Sequence, residues 1–398
     1  MRIAISSTSI RTDGAQTMRT RVIERIRDLP ALEWNALEHR GYPFLRHEFL
    51  TALEESGCIG SKTGWSPYFI VVEDERGIAA AAPAWLKDHS YGEFVFDFAW
   101  AQAYARHGLR YYPKLLVAAP FTPATGPRLL QRCDTVSDAT AKTLLEAIAT
   151  TADSMQLETA HVLFPDTADL AILRTDPDWL LRCDCQFHWQ NRGYRDFDDF
   201  LATFTAEKRK KARRERRRVA EAGIRFERRF GHEATRDEIE RAWQLHRRTF
   251  LQRGNEPYLN LEAFERIAKT MGETLLFTFA CLGDEIVAVA VFFVGSDTLY
   301  GRYWGSAEEY HSLHFETCYH QGIELCIERG LQRFEPGTQG EHKVSRGFSP
   351  TFTWSAHRIV EPRFRAAIAD YLAREKIGVE QYAAGIAEHV PYKQDLAP

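Results

Sequence analysis

The sequence predicts an α/β (α+β) protein of two similar halves, each built on a mixed, largely antiparallel sheet. Three observations lead there. At 398 residues the chain exceeds one ordinary domain of roughly 100–200 residues. Its composition, 44% hydrophobic and 27% charged without long Ser, Gln or Gly tracts, is that of a globular protein. One order of elements also occurs twice: three short β-rich runs, a loop, an amphipathic helix and a closing strand.

In the second half, 275–281, 286–294 and 298–304 are rich in β-branched and aromatic residues, and Gly283, Asp284 and 295–297 supply the turns of an antiparallel meander. The run 314–329 places Phe315, Cys318, Tyr319, Gly322, Ile323 and Cys326 on one helical face, and Gly330 stops it before a strand at 331–335. In the first half the corresponding strands are 68–72, 78–86 and 93–99, with a turn at 74–77, a helix at 139–152 and a strand at 160–164. Between its third strand and its helix this half carries an extra stretch, 100–132. That stretch is too aromatic for disorder and reads as one wall of a substrate groove. The expected domains are 19–192 and 193–398, after a variable segment 1–18.

At the boundary, Phe197, Phe200, Leu201 and Phe204 share a helical face, followed by EKRKKARRERRR (207–218), a stop at Gly223 and a strand at 224–230. Helices at 237–250 and 261–270 come next. Nine of the eleven positions 208–218 are basic. On a helix they cover every face, so the segment is expected to project into solvent and to attract an anionic partner through Lys208, Arg209, Lys211 and Arg214. That partner is tRNA, an acidic acyl carrier protein or a nucleotide-linked substrate.

Other classes are excluded. The longest apolar run, 286–294, is nine residues, against roughly 20 for a membrane span, so no membrane insertion is expected. Residues 1–18 contain no apolar core of a secretory signal. Seven cysteines, an odd number without disulfide-like spacing, point to a reducing compartment and a cytoplasmic protein. Cys183 and Cys185 lack the further ligands of a structural zinc site, so no metal is expected. A net charge of −4 argues against a chain that coats nucleic acid.

This order of elements is that of the acetyltransferase-like (GNAT) core, and two copies in one chain resemble the Fem family of peptidoglycan-bridge aminoacyl transferases. More closely, the chain resembles the Fem-like group of N-acyltransferases labelled as peptidoglycan biosynthesis or recognition proteins. The stretches that carry the resemblance are PFLRHEFL (43–50), HSYGEFVFDFAWAQAY (89–104), YYPKLLVAAPFTPATGPRLL (111–130), LYGRYWGSAEEYHSLHFETCYHQGIE (299–324) and FEPGTQGEHKVSRGFSP (334–350).

The resemblance implies attack of an amine on an activated acyl carbon carried by aminoacyl-tRNA, acyl-CoA or an acyl carrier protein, with no tightly bound cofactor. Such a reaction needs an unprotonated amine, a positioned carbonyl and donors for the developing oxyanion. The segment 305–313 (GSAEEYHSL), where acetyltransferases often cradle phosphates, lacks a Gly-rich signature, which counts against ordinary acetyl-CoA. The chemistry is expected in 337–348 (GTQGEHKVSRGF). There Glu341 or His342 is the base, Glu335 stands at the strand end before it, and Lys343 and Arg346 hold a phosphate or carboxylate. A solvated charged loop would have the same composition. Arg302, Tyr303, His314 and Glu316 are expected beside that loop, with an internal Arg302–Glu316 ion pair as the structural alternative for two of them. In the first half Asp97, Tyr104, Tyr112, Lys114 and Arg128 are candidates for acceptor contact. A non-catalytic module that binds cell-wall precursors is the competing reading of the same fold.

Overall fold

The computed structural model describes residues 9–11, 17–338 and 340–393. The expected variable segment 1–18 lies mostly outside them. The chain divides into two compact units, Met1–Asp184 with Thr353–Ile377 and Cys185–Phe352 with Gly378–Pro398.

In the first unit, β1 (Thr17–Ile23), β2 (Phe69–Asp74) and β3 (Gly77–Ala82) form an antiparallel meander, with Val22 opposite Ile70 and Ile70 opposite Ala82. Pro83 has no amide hydrogen to extend this ladder, and the chain leaves it as β4 (Ala84–Lys87). After helix α1 (Phe98–Arg106), β5 (Lys114–Val117) pairs antiparallel with β4, with Lys114 opposite Lys87. Helix α2 (Asp138–Ser154) then crosses over, and β6 (Thr159–Leu163) lies parallel to β5. Ser137 caps α2 by accepting the Thr140 amide hydrogen. Ala141, Leu144, Leu145, Ile148 and Ala152 form its buried stripe, each large side chain there contributing about 1.5–3 kcal/mol. Residues 355–359 return to pair antiparallel with β6, so His357 faces His161 across the ladder.

The second unit opens with α3 (Phe197–Ala202), α4 (Ala206–Glu221) and β7 (Ile224–Phe230), followed by α5 (Arg236–Leu251) and α6 (Leu261–Thr270). Strands β8 (Leu275–Leu282), β9 (Glu285–Val294) and β10 (Thr298–Ser306) form the expected meander, and β7 adds antiparallel to β8. Helix α7 (Gln321–Arg329) ends at Gly330, whose φ of 68° only glycine adopts without strain. It leads into β11 (Arg333–Glu335), parallel to β10. Trp189, Leu276, Phe292, Leu299, Ile323, Phe334 and Phe348 fill the core between this sheet and its helices.

Four expectations are corrected. The expected third strand at 93–99 does not form: Phe94 has φ 61°, Glu93 and Asp97 turn inward, and α1 begins at Phe98. The third strand is β5, inside what looked like an inserted wall. The expected strand 78–86 is split at Pro83. The expected helix 314–329 is interrupted by one π turn, Glu316–His320. Finally, α4 does not simply project into solvent. Ala212, Glu215 and Val219 recur at three- and four-residue spacing and are buried, which leaves the cations on the remaining faces.

Candidate active site

In the second unit the pairing of β10 with β11 ends at Tyr300 and Glu335, whereas β10 continues to Ser306. The sequence forces this divergence. Pro336 follows β11 directly, Gly301 sits so close that an added Cβ would lie 3.2 Å from the Pro336 Cα, and Gly337 has φ 95°. The two strands therefore open as a wedge, with Arg302, Tyr303 and Trp304 on one side. On the other side lies the motif 337–348, of which Gln339 is not described.

That motif forms a short helical turn, Glu341–Arg346, which carries its side chains in different directions. His342 is exposed at one edge, and its Nε2 lies 2.9 Å from the Tyr319 hydroxyl. Its ring sits 5.9 Å from that of His314, which in turn lies 5.2 Å from Trp304 across the wedge. Partial burial of the ring and the cations Lys343 and Arg346 push His342 down to about 4. Burial, His342, Arg346, Lys343 and Arg253 push His314 to about 4 as well. Both imidazoles are thus neutral bases at physiological pH.

Lys343 is buried. Its Nζ donates to the Gly337 carbonyl at 2.6 Å and has no carboxylate partner among the described residues. Burial lowers it to about 7, so it exchanges a proton in the working range. Arg346 behaves differently. It donates to Glu215 of α4 at 2.8 Å and lies over the Phe315 ring at 3.4 Å, so it ties the motif to the basic helix. Glu341 accepts the Tyr382 hydroxyl hydrogen at 2.8 Å on the exposed side of the turn, and Glu335 is buried at the wedge apex.

Glu316 is buried and pairs with Arg216 at 3.2 Å and His320 at 2.9 Å, not with Arg302. Burial works to raise its pKa, and His320 with Arg216 outweigh it, so Glu316 is a charged anchor of the π turn. On α4, Arg213 pairs with Asp198 at 2.9 Å and Arg216 also reaches Glu324 at 3.0 Å. Among the described residues no carboxylate pairs with Lys208, Arg209, Lys211 or Arg214.

The first-unit candidates have a different character. Lys114 is fully buried and donates to Ser90 at 2.8 Å, Glu93 at 2.7 Å and Asp97, which also accepts the Tyr111 hydroxyl hydrogen at 2.6 Å. Tyr112 bonds Ser90 at 2.7 Å. From Tyr111 the chain of polar groups runs on to His161 and, through facing Nδ1 atoms 2.7 Å apart, to His357. Arg128 is a clamp within the fold: it donates to the carbonyls of Leu163, Pro127 and Ala124 and to the Tyr42 hydroxyl. Tyr104 packs against Tyr111 and Phe364 in a buried aromatic cluster. Sequence reasoning missed Tyr319, Glu215, Arg253 and Tyr382. The first two occupy buried faces of segments whose helical period was already legible; the last two carry no local signal.

The family model for peptidoglycan biosynthesis/recognition, FemAB-like, matches residues 25–394. The chain belongs to this Fem-like family. Among solved structures it is similar to FemX, at 12% identity over 86% of this chain and 98% of that one, with a TM-score of 0.52. It is also similar to a C-terminal domain assigned to a lysylphosphatidylglycerol synthetase of Agrobacterium fabrum, at 12% identity over 82% and 90% with a TM-score of 0.50. A tandem GNAT protein of the clavulanic acid pathway matches at 8% identity over 87% and 99%, with a TM-score of 0.43. No curated protein matches the sequence. The chain shares the fold of FemX and of that synthetase domain. No helix among the described residues is long and apolar enough to cross a membrane, and no group of His, Cys, Asp and Glu there is arranged to hold a metal ion.

Proposed function

We propose that this Fem-like protein is an N-acyltransferase whose reacting atoms meet in the wedge between β10 and the turn 341–346. The observation that carries this reading is the juxtaposition there of a neutral, exposed imidazole, His342, with a buried amine, Lys343, that has no carboxylate among the described residues to neutralise it. An amine nitrogen attacks the acyl carbon, and the C–O bond of an aminoacyl-tRNA ester or the C–S bond of a thioester breaks. His342, oriented by Tyr319, takes the proton that the nitrogen sheds as the new bond forms and passes it to the departing ribose oxygen or sulfur, which leaves as alcohol or thiol. Lys343 in its ammonium form faces the developing oxyanion, and its burial makes that interaction worth more than it would be in water. Glu341 is left outside this step because it is engaged by Tyr382 on the outer side of the turn.

The six cations of α4 without carboxylate partners among the described residues, Lys208, Arg209, Lys210, Lys211, Arg214 and Arg218, favour a polyanionic donor, which ranks aminoacyl-tRNA above a free thioester. Membership of the Fem-like family favours an amine of cell-wall-precursor type over a small metabolite as the acceptor. Incubation with charged tRNA and an amine acceptor should deacylate the tRNA and form an amide, and H342A with K343M should abolish this in folded protein. Thiol release from acyl-CoA or acyl carrier protein without tRNA deacylation would move the donor to the thioester class. Neither signal with any donor, together with undiminished binding of precursors by H342A/K343M, would leave a non-catalytic binding module.

A further inference from the structure

Helix α5 buries one face, Ile239, Ala242, Leu245 and His246, against the sheet. Three of these are apolar, as a core stripe requires, and the fourth is not. His246 is fully buried, and neither ring nitrogen has a hydrogen-bond partner among the described residues. Its neighbours are the rings of Tyr303 at 4.5 Å, Phe250 at 4.8 Å and Phe264 at 5.8 Å. A leucine would fill such an aromatic box without stranding a donor and an acceptor away from water, so packing alone does not account for the residue.

A second observation places this imidazole next to the wedge. Gly305 of β10 seats α5 so closely that an added Cβ would fall 2.2 Å from the Leu245 carbonyl carbon and 2.4 Å from the His246 nitrogen. Helix and strand are thus pressed together at the register where β10 has left β11. The half-buried ring of Tyr303, on the part of β10 beyond its pairing with β11, packs on His246 at 4.5 Å. Burial, helped by the charge of Arg302, holds the imidazole near 3, so it stays neutral and offers one donor and one acceptor at any working pH.

Resting on the transferase reading above, we propose that His246 is a specificity-determining residue that hydrogen-bonds a polar group on the transferred acyl chain once Tyr303 turns aside. The acyl chain is therefore one carrying a hydroxyl or amide within an otherwise apolar envelope. A site built around such a bond rejects the apolar analogue, because the imidazole is then left stranded.

The test compares donors that differ by one polar group: seryl- against alanyl-tRNA, and 3-hydroxybutyryl- against butyryl-CoA, with the wild type, H246L and H246N. The wild type should prefer the polar member by about tenfold or more in kcat/KM. H246L should bring that ratio down to about one, and H246N should restore part of it. Because H246L also removes a stranded polar group, its melting temperature should equal or exceed that of the wild type, whereas a purely structural histidine would lose stability. A preference ratio that is the same in wild type and H246L, or a fall in melting temperature with the ratio intact, overturns the inference while leaving the transferase reading standing. Transfer from no donor overturns the transferase reading, and this inference with it.

Discussion

Replacing Lys114 by methionine removes the cation that bonds both Glu93 and Asp97, and the structure sets the size of the effect. All three side chains are at most 3% exposed, so the two carboxylates left behind cannot recover hydration. Truncating one partner of such a buried pair costs about 3–5 kcal/mol. The surviving group is a doublet, and Asp97 also anchors Tyr111, so the upper end applies. For a unit of about 200 residues this lowers the melting temperature by roughly 10–15 °C. Urea titration at pH 7, monitored by tryptophan fluorescence, measures it, with K114M/E93Q/D97N as the companion variant. Neutral side chains of similar shape need no counter-charge, so the triple variant should regain most of the stability. A K114M stability within about 1 kcal/mol of wild type, or a triple variant no better than the single one, would refute the treatment of this cluster as one electrostatic unit.

Three further outcomes follow from the geometry. The pH profile of kcat/KM should be bell-shaped: His342 accepts a proton only when neutral, so activity rises through about 4, and Lys343 aids the oxyanion only as an ammonium, so activity falls through about 7. K343M should lose the alkaline limb, and a limb that persists in K343M assigns it to another group. Gly305→Ala should destabilise the second unit by about 3 kcal/mol in chemical denaturation, since the new Cβ meets backbone that cannot yield; a change below about 0.5 kcal/mol would contradict the close seating of α5. Replacing Lys208, Arg209, Lys211 and Arg214 by glutamine should flatten the salt dependence of tRNA binding by about 0.7–0.9 in slope for each phosphate no longer neutralised, and an unchanged slope removes α4 from that interface.

Much of the second unit was legible in the sequence because its strands are long runs of β-branched and aromatic residues punctuated by Gly283 and Gly295, so composition and punctuation agree across 275–304. The first unit defeated the same reasoning at two places, the break at Pro83 and the stretch 93–99. The stretch 93–99 has the aromatic and β-branched composition of a strand, yet its two acidic residues point to a lysine that lies seventeen residues beyond Asp97 in sequence. Local pattern contains no term for that pairing, and the true third strand begins with the buried Lys114, a residue strands seldom bury. The charge run of α4 misled in the opposite direction: counting cations hid the Ala212, Glu215, Val219 stripe that seats the helix. The candidate site was readable as a motif, but not in its division of roles. Which of Glu341 and His342 faces the wedge depends on Tyr382 and Tyr319, and neither partner is local.

The return of residues 353–377 to the first unit has a consequence for how the protein is made. The ribosome finishes residues 1–184 long before it supplies the strand that covers Thr159–Leu163 and the helical segment that carries Phe364, Ile368 and Leu372 into the Trp100–Tyr104–Tyr111 cluster. During synthesis of residues 185–352 the nascent first unit therefore has an uncovered sheet edge and an open aromatic cluster, the kind of surface that chaperones hold. Completion of the amino-terminal unit is a late event, set by the arrival of the carboxy-terminal segment rather than by its own translation.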